Sequence, residues 1–231
     1  MCAKAKGKMQ KHYYQDSAVT IYHGDCREII PQLGQFDLLL TDPPYGIKYD
    51  ASASQVGGTK SKGGASYKTE HAFTNWDNQP IPLWLIMQSI DIAKKSIVWG
   101  GNYYHLPPTR CWLFWDKMND GKTFADGELA WTNYECSLRR IQHLWDGMLQ
   151  HDMGNKEMHM HPTQKPLRVI KWALDFANRQ NEVQTILDPF AGSGTTGRAA
   201  KDLNKTAVLI EREERYCEIA ANRMSQEVLA L

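Results

Sequence analysis

The chain has 231 residues, enough for one sizeable core, a formal net charge of +1, and 42% hydrophobic and 23% charged residues, which is ordinary for a soluble globular protein. No apolar run approaches the roughly 18 residues of a membrane-spanning helix, and the basic segment 1–8 has no apolar stretch behind it, so neither a membrane protein nor a secretory signal is predicted. Five cysteines without a CxxC pair indicate reduced thiols, and the small net charge leaves any nucleic-acid contact to local patches.

The predicted elements alternate between short apolar strands and amphipathic helices. The first half contains, in chain order, a basic arm at 1–16, a strand at 19–22, a short helix at 27–33, a strand at 36–40, a long loop at 47–75, a helix at 82–94 and strands at 96–100, 111–115 and 128–131. The second half contains an irregular insertion at 133–160, a helix at 166–179, a strand at 185–188, a glycine-rich turn at 192–197 that opens a helix ending near 203, a strand at 206–211 and a closing helix at 214–229. This alternation predicts an α/β domain with a mostly parallel sheet.

The glycine-rich turn predicts a ligand site at the end of the strand 185–188. Gly192-Ser-Gly-Thr-Thr-Gly197 matches G-x-G-x-x-G, and Glu211 follows about 20 residues on, where a carboxylate can accept ribose hydroxyls. A dinucleotide enzyme or a purely structural turn gives the same pattern, whereas NTP hydrolysis is excluded because the lysine and hydroxyl of a phosphate loop are missing. Asp188, at the strand end, would repel a pyrophosphate, and it favours an ammonium-bearing ligand such as S-adenosylmethionine over NAD.

The sequence Asp42-Pro-Pro-Tyr45 directly follows the strand at 36–40. Pro43 and Pro44 fix the backbone and leave their carbonyl groups free to face a pocket, although a rigid turn around a packed tyrosine gives the same pattern. An exocyclic amino nitrogen is a poor nucleophile because its lone pair is delocalised into the ring. The Asp42 carboxylate and the Pro43 carbonyl can accept its two hydrogens and turn the lone pair towards a methyl donor, while Tyr45 stacks on a base turned out of the duplex.

Three motifs in order, Asp42-Pro-Pro-Tyr45, His161-Pro-Thr-Gln-Lys-Pro166 and Asp188-Pro-Phe-Ala-Gly-Ser-Gly194, resemble the beta group of amino-methylating DNA methyltransferases. The resemblance covers nearly the whole chain, from Val19 to Met224. It implies a single domain at 17–231 with a doubly wound, mostly parallel, seven-stranded Rossmann-like sheet in a permuted motif order. It also implies a mobile loop at about 47–75, a small target-recognition insertion at about 133–160, and Asp42 beside Asp188 at the switch point of the sheet.

The resemblance also implies which residues bind S-adenosylmethionine and DNA. The cofactor residues are Asp25 at the adenine, Glu211 at the ribose, Asp188, Phe190, Gly192 and Gly194 around the methionine part, and Thr163, Gln164 and Lys165 near its carboxylate. Trp115, Phe124 and Trp131 fall in segments that line the target-base pocket in relatives, but plain core packing explains each of them equally well. Arg139 and Arg140 are candidate contacts to phosphates or guanine edges.

The expected reaction is methylation of the N6 amino group of adenine in double-stranded DNA. Adenine is favoured because relatives that act on cytosine more often carry Ser in place of Asp42. N4 methylation of cytosine is the alternative, and methylation of RNA or protein is a remoter one. Methylation at a ring carbon is disfavoured, because that reaction needs a thiolate nucleophile, usually presented as Pro-Cys, and the chain has no Pro-Cys dipeptide. The short insertion favours a homodimer, in which a second protomer supplies DNA contacts. The resemblance to the family favours the cytoplasm of a bacterial or phage-infected cell. No metal site is expected, because the spacing of Cys136 and the nearby histidines fits no usual ligand pattern.

Overall fold

The computed structural model describes residues 11–46, 80–119, 125–146, 149–152, 154, 156–157 and 164–226. The first ten residues of the predicted arm, the predicted loop at 47–75, Phe124 and Thr163 lie outside the described residues. Within the described ranges no helix is long and apolar enough to cross a membrane.

The described residues form eleven strands, five α-helices and two 3-10 turns. The strands are β1 (Tyr14–Gln15), β2 (Val19–His23), β3 (Phe36–Thr41), β4 (Ala93–Trp99), β5 (Trp112–Asp116), β6 (Gly127–Thr132), β7 (Arg139–Gln142), β8 (Trp145–Asp146), β9 (Leu149–Gln150), β10 (Thr185–Asp188) and β11 (Thr206–Glu211). The helices are α1 (Cys26–Ile29), α2 (Leu83–Asp91), α3 (Leu167–Gln180), α4 (Thr195–Asp202) and α5 (Glu214–Ser225), and the 3-10 turns are Ile30–Gln32 and Gly101–Tyr103.

Most predicted elements are present, with shifted ends. The predicted helix at 27–33 divides into α1 and a 3-10 turn, because Pro31 has no N–H for the helical ladder. The predicted helix at 82–94 ends at Asp91. The next strand already begins at Ala93, so Ala93 and Lys94 belong to β4 and not to the helix.

Nine strands form one sheet in the order β1-β2-β11-β10-β3-β4-β6-β5-β7. Strands β2, β11, β10, β3 and β4 are mutually parallel, β6 runs antiparallel between β4 and β5, and β7 is parallel to β5. The predicted α/β class and mostly parallel sheet are therefore confirmed, while the strand count is corrected from seven to nine. The two additions are edge strands: β1 lies in the predicted arm and β7 lies in the segment that we had expected to be irregular.

The sheet is covered on both faces because the central strands are apolar on both sides. In β3, Leu38 and Leu40 belong to the core beneath α3, α4 and α5, whereas Leu39 belongs to the core beneath α1 and α2. This arrangement explains why the strand is a continuous apolar run and not an alternating one. Helices on both faces leave the carboxyl edge of the parallel strands open for a ligand.

Asp37 joins β3 to the beginning of β10. Its carboxylate accepts hydrogen bonds from the backbone N–H groups of Gln184 (3.0 Å) and Thr185 (2.9 Å), and it pairs with Lys94 at 2.7 Å. The Lys94 ammonium and these N–H groups outweigh burial and hold the pKa of Asp37 well below its usual range. This single carboxylate therefore helps to fix the register of the two strands that carry the site.

Asp37→Ala should lower the free energy of unfolding at pH 7 by about 2–3 kcal/mol, because N–H groups bonded to a charge lose their acceptor. The free energies of unfolding of Asp37→Ala and the unmodified chain should become more similar as the pH falls below about 4. A carboxylate with a depressed pKa stabilises the fold only while it is ionised, and this stabilisation is lost on protonation. Urea unfolding measures both effects. Asp91→Ala, on an exposed aspartate at the end of α2, is the matched control and should shift stability by less than about 0.5 kcal/mol. Equal losses of stability in the two variants would contradict the proposed role of Asp37 in joining β3 to β10.

Candidate active site

The carboxyl ends of β3 and β10 meet at the centre of the sheet. The chain leaves β3 through α2 towards β4 on one side and leaves β10 through α4 towards β11 on the other, so the two ends form a topological switch point. The hydroxyl of Thr41 donates to Asp188 Oδ1 at 2.8 Å, between two buried side chains. Asp42 and Asp188 are thus brought to one edge, as the order of the motifs predicted.

A cavity of about 730 Å³ opens at this edge. The predicted site residues that line it are Asp25, Asp42, Pro44, Gln164, Lys165, Asp188, Phe190, Gly192 and Glu211. Pro43 and Tyr45, which were also predicted to be catalytic, do not line it. The cavity therefore joins the predicted catalytic turn, through Asp42 and Pro44, to the predicted cofactor turn.

Asp188 is a buried carboxylate in the wall of the cavity. It accepts hydrogen bonds from the Thr41 hydroxyl, from the Phe190 N–H at 3.1 Å and from Thr196, all of which are neutral groups. Burial raises the pKa of Asp188 to about 6, and these hydrogen bonds offset the rise only in part. A carboxylate in this position favours a cationic ligand, because a positive charge would stabilise its ionised form.

Glu211 holds the glycine-rich turn against the end of β11. Its two oxygens accept the N–H groups of Gly192 and Glu213, each at 2.8 Å, while burial raises its pKa. Gly194, which we had assigned to cofactor binding, does not line the cavity. It adopts a φ of +78° as the N-cap of α4, and a Cβ there would lie 2.8 Å from the Cβ of Ala220. Its small size is required by helix packing.

Asp25 lies at the rim of the cavity. Its side chain caps α1 by accepting the Arg27 N–H at 2.9 Å and also pairs with the Arg27 guanidinium, which lowers its pKa. The predicted contact residue for the cofactor adenine is therefore fixed in place by its own helix.

Four charged side chains of alternating sign form a chain at the Asp42 end of the cavity. Lys165 Nζ lies 2.5 Å from Asp42 Oδ2 and 3.0 Å from Glu128 Oε2, and Lys117 Nζ lies 2.6 Å from Glu128 Oε1. Burial would raise the pKa of Glu128, but the two ammonium groups outweigh it and hold the value at about 2. Burial would lower the pKa of Lys165, but the two carboxylates raise it, so Lys165 stays charged. Sequence reasoning placed Lys165 beside the cofactor carboxylate and missed Glu128 and Lys117.

Tyrosines enclose the Asp42 turn. Burial and the nearby carboxylates raise the pKa of Tyr45 well above its usual value, so its hydroxyl stays protonated and donates to Asp42. Its ring stacks on Tyr103 with the centroids 5.0 Å apart, and the Tyr104 hydroxyl donates to the Pro44 carbonyl. Tyr103 and Tyr104 were missed, although they follow the carboxyl end of β4, the strand next to β3.

Comparisons with known proteins agree with this geometry. The family model described as DNA methylase, of the N6/N4 group, matches residues 117–222. The type II methyltransferase M.ScaI of Streptomyces caespitosus is 29% identical over 99% of this chain and 88% of its own length, which extends the similarity over the Asp42 turn. The predicted resemblance to the amino-methylating DNA methyltransferases is confirmed by this match and by the similarity to type II methyltransferases.

Two solved structures share the fold. The S-adenosylmethionine complex of M1.HpyAVI matches 90% of this chain and 100% of its own with a TM-score of 0.54 and 20% identity. The cytosine-N4-specific PvuII DNA methyltransferase matches 96% of this chain and 91% of its own with a TM-score of 0.56 and 15% identity. At these identities the likeness concerns the fold of the methylase domain.

The positions of the side chains revise one predicted role, that of the two tryptophans in the base pocket, and place the two predicted DNA-contacting arginines outside the first cavity. Trp115 and Trp131 are 1% and 4% exposed, and their ring N–H groups donate to the carbonyls of His143 and Pro107, so both are core residues without a ring face for a base. Arg139 and Arg140 line a second cavity of about 370 Å³ that shares no residue with the first. Their predicted contact with DNA is therefore separate from base binding.

Glu157, in the predicted recognition insertion, is a site residue that sequence reasoning missed. Its carboxylate pairs with the buried Arg223 at 2.7 Å, accepts the Leu167 N–H at the start of α3 (2.8 Å) and accepts the Gln164 amide at 2.9 Å. The Gln164 carbonyl oxygen in turn accepts the Ser193 hydroxyl at 3.2 Å. Gln164 thus contacts the glycine-rich turn, as its predicted place near the cofactor requires.

Gly100→Ala should disturb the Tyr45 side chain and destabilise the methylase by about 2 kcal/mol, since an L-residue is strained at positive φ and the added carbon meets the ring. Gly100 has a φ of +64°, and a Cβ there would lie 2.0 Å from the Tyr45 ring. Equilibrium unfolding measures the loss. Gly34→Ala is the control, because nothing lies within 4 Å of its added carbon, and a change of less than about 1 kcal/mol is expected there. Similar losses at both positions would argue against a requirement for glycine at position 100.

Proposed function

We propose that this chain is an S-adenosylmethionine-dependent DNA methyltransferase that acts on an exocyclic amino group, with the N6 of adenine favoured. The observation that carries the proposal is the single cavity in which Asp42 of the Asp-Pro-Pro-Tyr turn and Asp188 of the cofactor motif lie at adjoining strand ends. The match of residues 117–222 to the DNA methylase family model and the similarity to a type II methyltransferase over 99% of the chain support it.

The cavity suits S-adenosylmethionine by charge and shape. A ligand with an ammonium and a sulfonium group complements Asp188, whose hydrogen-bond partners are all neutral. Glu211 lies at the end of the next strand, where a ribose would be held, and Phe190 offers an apolar wall. The fold neighbour M1.HpyAVI was solved as a complex with S-adenosylmethionine. When bound, this cofactor supplies a methyl group on a positively charged sulfur.

The Asp42 turn prepares the amino nitrogen for the transfer. Asp42 and the Pro43 carbonyl accept the two amino hydrogens, which directs the nitrogen lone pair towards the methyl group. Each carboxylate oxygen has more than one lone pair, so Asp42 can accept an amino hydrogen beside its bond from Tyr45. Transfer of the methyl group from the sulfur of the cofactor to this nitrogen would leave the nitrogen with a positive charge and a proton to lose. Asp42 is the adjacent group that can accept the proton it loses.

Asp42 favours adenine over cytosine because cytosine-specific relatives more often carry Ser there. The fold itself is shared with a cytosine-N4-specific enzyme, so N4 methylation of cytosine by the same machinery is the second candidate. An amino group of RNA or protein is a remoter substrate, since those relatives usually carry Asn in place of Asp42.

The proposed substrate is double-stranded DNA with the target base turned out of the helix. Tyr45 and Tyr103 form a stacked aromatic pair beside the turn, and Tyr103 is 55% exposed, so it can meet a base or its neighbour. Residues 133–160 are the proposed recognition region, and its short length favours a homodimer. Because type II relatives come from bacteria, the proposed location is the bacterial or phage-infected cytoplasm.

Incubation with DNA and labelled S-adenosylmethionine, followed by nucleoside analysis, should place the label in N6-methyladenine. Asp42→Ala should lower the turnover number by at least about a hundredfold and change cofactor affinity little, since it removes a contact made to the reacting amino group. Asp175→Ala, on an exposed residue of α3, is the control. Label in N4-methylcytosine would replace adenine with the second candidate, and no transfer to DNA would refute the proposed function.

Cofactor affinity should rise with pH up to about 6, because the ionised form of Asp188 binds the cation and its pKa is raised to about 6 by burial. Below this value each pH unit should weaken binding by up to about tenfold, since a proton must leave before the cation binds. Calorimetric titration with S-adenosylmethionine between pH 5 and 7.5 measures the trend. Asp188→Asn should bind more weakly and lose most of the pH dependence, and a flat profile for the unmodified chain would contradict this role.

A further inference from the structure

Lys165 holds a buried positive charge at the wall of the catalytic cavity. Its side chain is 6% exposed, and its ammonium contacts three acceptors: Asp42 at 2.5 Å, Glu128 at 3.0 Å and the Tyr45 hydroxyl at 3.1 Å. Because an ammonium group has three N–H donors, these contacts use all of them. The arrangement satisfies the charge of Lys165 with groups of the protein itself.

Asp42 and Lys165 both line the cavity, whereas Glu128 does not. Glu128 is held independently by a second lysine, because Lys117 Nζ lies 2.6 Å from its Oε1. The fixed Glu128 carboxylate can therefore keep Lys165 charged and in place when Asp42 turns to another donor.

The pairing edge of the target base has a matching pattern. In adenine the amino group is separated by one ring carbon from the unprotonated N1, and in cytosine it stands in the same relation to N3, so each base presents a donor beside an acceptor. Asp42 and Lys165 present an acceptor beside a donor, with 2.5 Å between their reactive atoms. Guanine and thymine carry an N–H at the corresponding ring nitrogen, which would oppose the ammonium. Enzymes that flip a base read this edge by hydrogen bonds.

We infer that Lys165 donates a hydrogen bond to the ring nitrogen next to the amino group that is methylated. The base edge enters between Asp42 and Lys165 and replaces their mutual contact with two contacts of its own. The amino hydrogen then bonds to Asp42, and the ring nitrogen bonds to Lys165. This inference rests on the proposed function and adds a residue that selects the base and fixes the orientation of its amino group.

Lys165 could either donate to the ring nitrogen or merely neutralise the charge of Asp42. Only the first role depends on the ring nitrogen, so a target base with C–H in place of that nitrogen distinguishes the two roles. The target site is first mapped by sequencing DNA methylated by the unmodified enzyme. Synthetic duplexes then carry adenine, 1-deazaadenine or 7-deazaadenine at the target position, or cytosine and 3-deazacytosine if the labelled base is cytosine. The measured quantity is kcat/KM for each duplex, together with S-adenosylmethionine binding by each variant as a test of folding.

For the unmodified enzyme, 1-deazaadenine should lower kcat/KM by about 10- to 100-fold, the range expected for one hydrogen bond from a charged donor. The 7-deaza base, altered away from this edge, should be methylated nearly as well as adenine. In Lys165→Met, kcat/KM for 1-deazaadenine should be at most about threefold lower than kcat/KM for adenine. This ratio is compared within the variant, so it does not depend on how active the variant is. Lys165→Gln, which keeps an N–H donor, should retain an intermediate loss.

Lys117→Met is the matched control, because it removes a lysine of the same charged chain that does not line the cavity. In this variant 1-deazaadenine should lower kcat/KM by the same 10- to 100-fold as in the unmodified enzyme. The inference is overturned if the unmodified enzyme methylates 1-deazaadenine as well as 7-deazaadenine, a result that needs no variant to fold. An equal loss in Lys165→Met and in the unmodified enzyme would also overturn it. Both outcomes leave the proposed function intact, whereas no transfer to unmodified DNA would remove the function and this inference together.

Discussion

The pairing of β3 with β10 is the constraint on which the site depends. Ile186 and Leu187 of β10 lie opposite Leu38 and Leu39 of β3, so two segments almost 150 residues apart in the sequence end at the same edge. In this register the Thr41 hydroxyl reaches Asp188. A slip of one residue would turn the leucines of β3 to the opposite faces of the sheet and separate the hydroxyl from the carboxylate.

Charge is distributed unevenly along the cavity that this pairing creates. At the cofactor end, Asp188 is buried among neutral donors, and the cost of burying its charge appears as a raised pKa. At the base end, Asp42 is already paired with Lys165, and the charges continue in alternating sign to Glu128 and Lys117. The first arrangement favours a cation, whereas the second favours a neutral ligand whose edge carries one donor and one acceptor. One cavity can therefore keep a cationic methyl donor and a neutral base at separate ends.

The sequence allowed the central strands, and the site at the ends of β3 and β10, to be predicted because their signals are local. A continuous apolar run indicates a strand covered on both faces, and the polar residues that follow it lie at the open edge of a parallel sheet. The tryptophans Trp115 and Trp131 were assigned to the base pocket because their positions alone do not tell which ring becomes buried.

The elements that were missed depend on neighbours that are distant in the sequence. The edge strands β1 and β7 have two and four residues and a polar composition, so only their pairing with β2 and β5 makes them strands. Tyr103 and Tyr104 become site residues because β4 lies next to β3, which places them over the Asp42 turn. Lys165 lies next to Gln164 in one motif, yet the two side chains diverge, one towards the base end and one towards Ser193.

Glu157 shows how the proposed recognition region and the cofactor turn are connected. Its carboxylate offsets the charge of the buried Arg223, and Arg223 also donates to the Thr195 hydroxyl at the beginning of α4. The same carboxylate accepts the Gln164 amide, and Gln164 accepts the Ser193 hydroxyl within the glycine-rich turn. Loss of the Glu157 carboxylate would leave a buried guanidinium without its partner and release two supports of the turn at once. A residue of the insertion therefore stabilises the cofactor turn, independently of any base that the insertion reads.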